Sequence, residues 1–140
     1  MFARIAVDGG VLDVYRSGEQ LVDLLHIKDA VLMIVSAAQS RSENWNDVYN
    51  VGGGVAVSVL ELAELCRKLA AEHSTMLPSI NLENDRVNHL SFGLVIDKAT
   101  ERFGWRPEVS LYQGIAELMN NAASTSFSPG ESSKAFIDTL

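Results

Sequence analysis

Residues 47–54 read DVYNVGGG, and after a gap of three residues, positions 58–61 read SVLE. Aromatic and β-branched residues around Tyr49, bounded by glycines, predict a buried strand. Ser58 and Glu61 have the spacing of a capping box, which predicts that a helix begins there. A strand that leads through a glycine turn into a helix is typical of an α/β fold.

The three glycines at residues 52–54 allow two interpretations. A strand, a glycine turn and a helix N-terminus can together bind a phosphate. Alternatively, the glycines serve only to let the strand and the helix pack closely, because they carry no Cβ. The sequence contains neither GxGxxG nor GxxxxGK[ST], and this favours the packing interpretation.

Four stretches, in this order, are similar to blocks of the NAD-dependent epimerases and dehydratases, which are extended short-chain dehydrogenases acting on nucleotide sugars. Residues 18–29, GEQLVDLLHIKD, resemble the block G-x-Q-x-R-D-h-h-H-V-x-D. Residues 48–54 resemble the later Y-N-h-G-x-G strand, and residues 98–107, KATERFGWRP, resemble K-A-x-x-x-L-G-W-x-P. Residues 110–115, SLYQGI, resemble the S-L-x-E-G-I start of the final helix.

The resemblance covers roughly residues 2–123 and corresponds to the carboxyl-terminal part of such enzymes. It implies an α/β, Rossmann-like fold that lacks the N-terminal dinucleotide-binding half. The catalytic Y-x-x-x-K of the family is missing, because the residues four positions after Tyr15, Tyr49 and Tyr112 are not lysines. In the family this lysine lowers the pKa of the acid/base tyrosine. We therefore expect no catalytic residue and no cofactor in this chain, with NAD bound by the full-length family enzyme.

The resemblance also implies three substrate-binding candidates. The family arginine that contacts the nucleotide-sugar diphosphate is replaced here by Val22, which cannot neutralise phosphate. Arg86 is the nearest match to a second family arginine and is the best diphosphate candidate, since a guanidinium binds phosphate bidentately. The alternative is a solvated arginine that pairs with a neighbouring carboxylate. Gln20 and Glu19 lie in the loop that approaches the nucleotide in the family and are supporting candidates.

His26 and Asp29 have a spacing that places both on one face of a helix, as in a metal pair. The favoured interpretation is a structural histidine together with an N-cap aspartate. His73 and His89 lack ligand spacing, so we predict no metal site. Cys66, the single cysteine, lies among leucines at helical spacing and is predicted to be a core thiol in a reducing compartment.

Trp105 and Tyr49 are large aromatic residues within the family-like blocks. Either ring could stack on a nucleotide base. The favoured interpretation is structural: Trp105 packs a short helix onto the domain, and Tyr49 lies in the sheet with its hydroxyl group hydrogen-bonded.

Composition limits the partners of the chain. Its 140 residues correspond to one domain at most. A formal net charge of −7 argues against non-specific binding to nucleic acid or to an anionic membrane surface.

No stretch is long and apolar enough to span a bilayer or to form a signal peptide, so we expect a cytoplasmic protein. Half of a doubly wound sheet would leave a strand edge and a sheet face uncovered, which predicts a homo-oligomer.

Periodicity and caps predict the remaining elements. Strands are expected at residues 11–15, 21–27 and 77–82, and helices at residues 2–6, 30–38, 59–72, 98–103 and 110–123. The helix at residues 30–38 is apolar on nearly every side and is predicted to be fully buried. Residues 1–123 are predicted to form the domain and residues 124–140 a mobile tail rich in small and polar residues.

Two functions remain open on these grounds. The first is the nucleotide-sugar-binding portion of an NAD-dependent epimerase or dehydratase, which is not catalytic alone. The second is a stand-alone, non-catalytic α/β module that oligomerises and has lost nucleotide-sugar binding. Val22 favours the second, and the four family-like blocks favour the first.

Overall fold

The computed structural model describes residues 1–73, 77–83 and 91–124. These residues form an α/β structure of helices and short strands. The helices are α1 (Phe2–Val7), α2 (Ile27–Gln39), α3 (Val59–His73), α4 (Asp97–Phe103) and α5 (Leu111–Ser124). The strands are β1 (Val11–Tyr15), β2 (Leu21–Asp23), β3 (Ala56–Ser58) and β4 (Ser79–Glu83).

The strands pair in two ways. β1 and β4 are parallel, with Val11 opposite Ser79 and Tyr15 opposite Glu83. β2 and β3 are antiparallel, with Leu21 opposite Ser58. Helix α3 begins directly after β3 and connects it to β4. Helix α3 therefore connects the antiparallel pair to the parallel pair.

The larger core lies on the inner face of β1, where Leu12 and Val14 are completely buried between exposed neighbours. Helices α1, α3 and α5 pack around this face. The buried residues of this cluster are Ala6, Leu12, Val14, Ala63, Cys66, Leu69, Ala70, Ile115 and Met119. Burial raises the pKa of the Cys66 thiol, because the charged thiolate is disfavoured away from water. The prediction that Cys66 is a core thiol is thus confirmed.

A second cluster joins α2 to α4. Its buried members are Met33, Ala99 and Trp105, and Tyr49 and Val51 pack against it. The indole Nε1 of Trp105 donates a hydrogen bond to the carbonyl oxygen of Asp29 at 3.0 Å. The predicted structural role of Trp105, as the residue that packs the short helix onto the domain, is confirmed.

Both predicted capping boxes are present. The amide of Glu61 donates to the hydroxyl oxygen of Ser58 at 3.1 Å, and the amide of Ser58 donates back to the Glu61 carboxylate at 2.7 Å. At the start of α5, Ser110 and Gln113 exchange the same pair of bonds at 3.2 and 3.0 Å. These local bonds explain why α3 and α5 begin where the sequence predicts.

The strand predicted across Tyr49 is wrong. Residues 48–51 lie in no regular element, and the strand of this region is β3, on the other side of the glycines. Residues 48–51 do not form a strand because no described strand lies beside them. Strand β2 is hydrogen-bonded to residues 56–58 instead. The hydroxyl group of Tyr49 is nevertheless satisfied, as predicted, because it donates to the carbonyl oxygen of Asn44 at 2.8 Å.

Two predictions about α2 are also wrong. The N-cap is His26 rather than Asp29, so the helix begins earlier than expected. The helix is not fully buried, because Ile27 and Ile34 are 69% and 68% exposed while Met33 on the opposite side is buried. Among the described elements, nothing packs on this outer face.

Two other boundaries differ from the predictions. The extended piece predicted for residues 21–27 forms a strand only at Leu21–Asp23, because β3 offers three partners and α2 then begins. Strand β4 starts one residue after the buried Pro78, which lacks the amide that a strand interior needs. The predicted tail beyond residue 124 and the loop of residues 84–90, which contains Arg86, lie outside the described residues.

In the described part of the chain, no helix has both the length and the apolar character required to cross a membrane.

Candidate functional site

A cleft of about 420 Å³ lies where the end of β2, the start of α2 and the segment before α5 meet. Apolar side chains form most of its wall, and polar side chains from two of its three segments interrupt it. The lining residues are Leu24, Leu25, His26, Asp29, Gly53, Val55, Val57, Pro107, Glu108, Val109, Ser110 and Leu111. A smaller cavity of about 140 Å³ shares Leu24, His26 and Ser110 with it and reaches Leu118 on α5.

His26 at the cleft is held by bonds from both ring nitrogens. Nδ1 accepts from the backbone amide of Lys28 at 3.2 Å and so caps α2. Nε2 lies 3.4 Å from a carboxylate oxygen of Glu117 on α5. Lys28 bonds the same carboxylate at 3.2 Å and lowers the pKa of Glu117. His26 therefore links the start of α2 to α5.

Asp29 faces a different set of partners. Its side chain is 1% exposed and accepts the backbone amides of Glu108 and Val109 at 3.1 and 3.0 Å. It therefore fixes the linker between α4 and α5 rather than capping α2. In the described part of the chain, no three His, Cys, Asp or Glu side chains are arranged to hold a metal ion.

The glycine turn lies next to an internal carboxylate. The amide of Gly53 donates to Asp23, whose other oxygen accepts from Leu94 at 3.2 Å. A Cβ built on Gly53 would overlap the carbonyl oxygen of Leu24. The glycine therefore permits a close approach of two backbone segments, as the packing interpretation requires, and Asp23 occupies the amide that a phosphate would need.

Of the substrate candidates from the sequence, the two described residues, Glu19 and Gln20, do not line this cleft. Glu19 is exposed in the turn that precedes β2. Gln20 is half-buried, and its Oε1 atom is buried without a hydrogen-bond donor among the described residues. Arg86 lies outside the described residues, and Val22 is a half-buried member of β2 opposite Val57.

Two hydrogen bonds join the residues that follow the Arg86 segment to the residue after Gln20. Ser91, where the description of the chain resumes, accepts the amide of Leu21 at 3.0 Å through its hydroxyl group. The amide of Phe92 donates to the carbonyl oxygen of Leu21 at 3.2 Å. The chain that follows the Arg86 loop is thus bonded to the residue after Gln20.

The aromatic candidates have protein partners. Tyr49 packs edge-on against Phe103, with ring centres 4.7 Å apart. Lys98 lies 5.2 Å from the centre of the Tyr49 ring and forms an ion pair with Asp47 at 2.6 Å. The hydrogen bond from Lys98 lowers the pKa of the Asp47 carboxyl group. These contacts agree with a structural role for Tyr49.

Sequence reasoning missed the cleft and the role of Asp23. The apolar wall of the cleft comes from three separate segments, so no motif marks it. Asp23 was visible as the residue that matches the aspartate of the family's R-D pair, with Val22 in place of the arginine. Its bond to Gly53 was not visible in the sequence, because the two residues are 30 positions apart and only the fold brings this carboxylate to the glycine amide.

The sequence and the fold of this chain are similar to those of known proteins. No family model matches this sequence. The dTDP-L-rhamnose 4-epimerase of Burkholderia thailandensis is 29% identical over 120 residues, which are 84% of this chain and 31% of that protein. A dTDP-glucose 4,6-dehydratase of Actinoplanes sp. is 28% identical over 120 residues, covering 85% of this chain and 36% of the relative. The chain thus spans about a third of the length of these curated relatives.

Solved structures show the same fold. The UDP-glucuronic acid 4-epimerase of Bacillus cereus, in complex with UDP-glucuronic acid and NAD, superposes with a TM-score of 0.74 at 20% identity. The superposed region is 86% of this chain and 38% of that structure. The UDP-glucose 4-epimerase of Thermotoga maritima, with UDP-glucose, superposes with a TM-score of 0.68 at 24% identity. The superposed region is 85% of this chain and 37% of that structure. The homologues and structural neighbours of this α/β chain are therefore the NAD-dependent nucleotide-sugar epimerases and dehydratases of the extended short-chain dehydrogenase family.

Proposed function

We propose that this chain is the part of a nucleotide-sugar epimerase or dehydratase that holds the nucleotide diphosphate sugar. NAD is then bound by polypeptide other than this chain, since the sequence contains neither the dinucleotide fingerprint nor Y-x-x-x-K. The sugar-nucleotide enzymes among its relatives support this proposal. By itself the chain is not catalytic.

The observation that carries the proposal is the buried, unpartnered acceptor of Gln20. A buried amide oxygen without a donor costs free energy, so such atoms are normally satisfied by protein, water or a ligand. Gln20 also belongs to the G-x-Q block that approaches the nucleotide in the family. We propose that the Gln20 side chain turns outward on binding, so that a hydroxyl or imide N–H group of the nucleotide supplies the missing donor.

Arg86 is the proposed diphosphate ligand. Its loop leaves β4 at Glu83, which lies opposite Tyr15, and the chain rejoins the described residues at Ser91, bonded to Leu21. The described residues on the two sides of Arg86 therefore lie next to Tyr15 and Leu21, which flank Glu19 and Gln20 in the sequence. A guanidinium group is positively charged and binds a diphosphate through paired hydrogen bonds. The carboxylate of Glu19 would repel phosphate, so its proposed partners are hydroxyl groups of the sugar.

Calorimetric titration with UDP-, CDP-, GDP- and dTDP-sugars tests this proposal. We expect saturable binding of at least one nucleotide sugar, and a tenfold or greater loss of affinity in Arg86→Ala. Arg67→Ala is the matched control, because Arg67 is an exposed arginine that pairs with Glu64 on α3. Equal affinities of Arg86→Ala and wild type would contradict the assignment of Arg86.

A second candidate is a non-catalytic module that assembles through its uncovered sheet. Two observations favour it: Val22 replaces the family arginine, and the outer face of β1 exposes Val11 and Tyr15 by 50% and 42%. This module would be a homo-oligomer that binds no nucleotide sugar. A folded oligomer in sedimentation velocity, together with no saturable binding in the titration, would favour this candidate over the first.

A further inference from the structure

Helix α2 is capped by a ring that can take up a proton near neutral pH. The Nδ1 atom of His26 accepts the backbone amide of Lys28 at 3.2 Å. A ring nitrogen accepts a hydrogen bond only when it carries no proton, so this cap requires the neutral ring with its proton on Nε2. The hydroxyl groups of Ser58 and Ser110, which cap α3 and α5, have no such requirement. The start of α2 therefore depends on the protonation state of one side chain.

A proton on Nδ1 would remove this cap. The new N–H group would face the N–H group of Lys28, and two donors form no hydrogen bond. Lys28 lies in the first turn of α2, where a backbone amide has no acceptor within the helix. The charged ring would also lie at the N-terminus of the helix, where the helix dipole disfavours a positive charge. Protonation therefore weakens the first turn of α2.

The other edges of the ring are held by α5. The Nε2 atom lies 3.4 Å from a carboxylate oxygen of Glu117, and the side chain of His26 is only 15% exposed. A Cβ built on Gly114 would lie 3.3 Å from the Cδ2 atom of the ring, so the ring lies against the backbone of α5. Lys28 and, to a smaller extent, His26 lower the pKa of Glu117, so this carboxylate keeps its charge where histidines titrate. A protonated ring would thus stay on α5.

The remaining charged side chains of the cleft do not provide a second cap. These are Asp29 of α2 and Glu108 of the linker before α5. The two carboxylate oxygens of Asp29 already accept the amides of Glu108 and Val109 at 3.1 and 3.0 Å. The amide of Lys28 would therefore be left to water when His26 is protonated.

We infer that His26 is a pH-dependent link between α2 and α5. The neutral ring joins the two helices, because Nδ1 accepts from Lys28 while Nε2 faces Glu117. The protonated ring keeps Glu117 and releases the amide of Lys28. The start of α2, which forms one wall of the cleft, then becomes less ordered as the pH falls from about 8 to 5, the range in which histidine side chains titrate.

Exchange of amide protons with water, measured by NMR on the full chain, tests this inference. Each exchange rate is divided by the rate of an unstructured peptide at the same pH, which gives a protection factor. We expect the protection of the Lys28 amide to fall about fivefold as the His26 ring takes up its proton. The Gln113 amide is the internal control, because it donates to the hydroxyl oxygen of Ser110 at the same distance of 3.2 Å. Its protection should change by less than about twofold, since neither side chain titrates.

Two variants make the test specific to His26. His26→Asn keeps a capping acceptor that does not titrate, so the protection of the Lys28 amide should no longer depend on pH. His73→Asn, at the end of α3, is the matched control and should show the pH dependence of wild type. Circular dichroism confirms that each variant is folded.

The ring nitrogen resonances report the tautomer and the protonation of His26 in the same samples. The inference is overturned if Nδ1 carries a proton at pH 8 or if the ring is still neutral at pH 5. It is also overturned if the ring takes up a proton while the protection of the Lys28 amide stays constant, or if His26→Asn keeps the pH dependence of wild type. The samples contain no nucleotide sugar, so these outcomes are independent of the proposed function.

Discussion

Gly53 shows how a single missing Cβ lets two backbone segments meet. In Gly53→Ala the new methyl group would overlap the carbonyl oxygen of Leu24, which cannot move without disturbing β2. We expect a loss of about 3 kcal/mol in the free energy of unfolding. Gly104→Ala is the control: its surroundings are open and its φ is 64°, so the left-handed backbone alone should cost about 1 kcal/mol. Urea denaturation measures the free energy of unfolding of both variants. Equal losses of stability in Gly53→Ala and Gly104→Ala would refute the steric explanation.

Asp29 is a second residue whose effect comes from tertiary contacts. In Asp29→Ala the amides of Glu108 and Val109 lose their shared acceptor. Because hydrogen bonds to a buried charged group are strong, we expect about 2–3 kcal/mol of destabilisation in urea. Asp8→Ala removes an exposed carboxylate that pairs with Arg4 and should cost less than about 1 kcal/mol. A loss in Asp29→Ala no larger than in Asp8→Ala would contradict this role.

At the scale of the element, the capping box of α3 predicts a pH dependence. The backbone amide of Ser58, assisted by its hydroxyl group, lowers the pKa of Glu61 below its ordinary value. A carboxyl group whose pKa is lower in the folded state stabilises the protein above its unfolded pKa of about 4.3, and this contribution is lost as the pH falls through the folded pKa.

The matched variant is Glu61→Gln, which keeps an acceptor but does not titrate. We expect the melting temperature of wild type to exceed that of Glu61→Gln near pH 7, and the difference to shrink as the pH falls toward 3. Thermal melts followed by circular dichroism at several pH values measure it. A difference that stays constant with pH would show that the charge of Glu61 does not contribute.

Elements with local stop and start signals were predictable. Helix α5 begins at its capping box, and α4 ends at Gly104 in a left-handed conformation, as glycine before a proline indicates. Helix α2 was not predicted correctly at its start, because His26 replaces the usual side-chain cap and Asp29 is drawn to the linker before α5. A strand needs a partner, and the sequence around Tyr49 carries no information on which segment β2 selects.

At the scale of the whole molecule, the two clusters predict unequal local stability. The larger cluster fills the space between β1 and α1, α3 and α5, whereas the smaller one joins α2 to the short helix α4. Amides deep in β1 and α3 should therefore exchange most slowly, and those of α4 faster, because opening α4 exposes less apolar surface. Native-state hydrogen exchange by NMR measures this order. If the amides of α4 exchanged most slowly, the predicted order of local stability would be wrong.

The candidate site was predictable in part. The family-like block identified Gln20 and Glu19, and the structure adds that the Gln20 acceptor is buried and unpartnered among the described residues. The roles of Glu19, Gln20 and Arg86 in substrate binding stay predictions. The cleft beside His26 was not predictable, since its wall is assembled from segments up to about eighty residues apart and mostly from apolar side chains.

The sequence by itself determined the α/β class, the capped helices α3 and α5, the buried Cys66 and the likeness to nucleotide-sugar epimerases, because each depends on local spacing or on ordered motifs. The tertiary structure alone decided which segment pairs with β2, where Asp23 and Asp29 bond, and which face of α2 is left exposed. These features depend on contacts between residues distant along the chain, and a carboxylate or a strand bonds to whichever unsatisfied amides the fold brings to it.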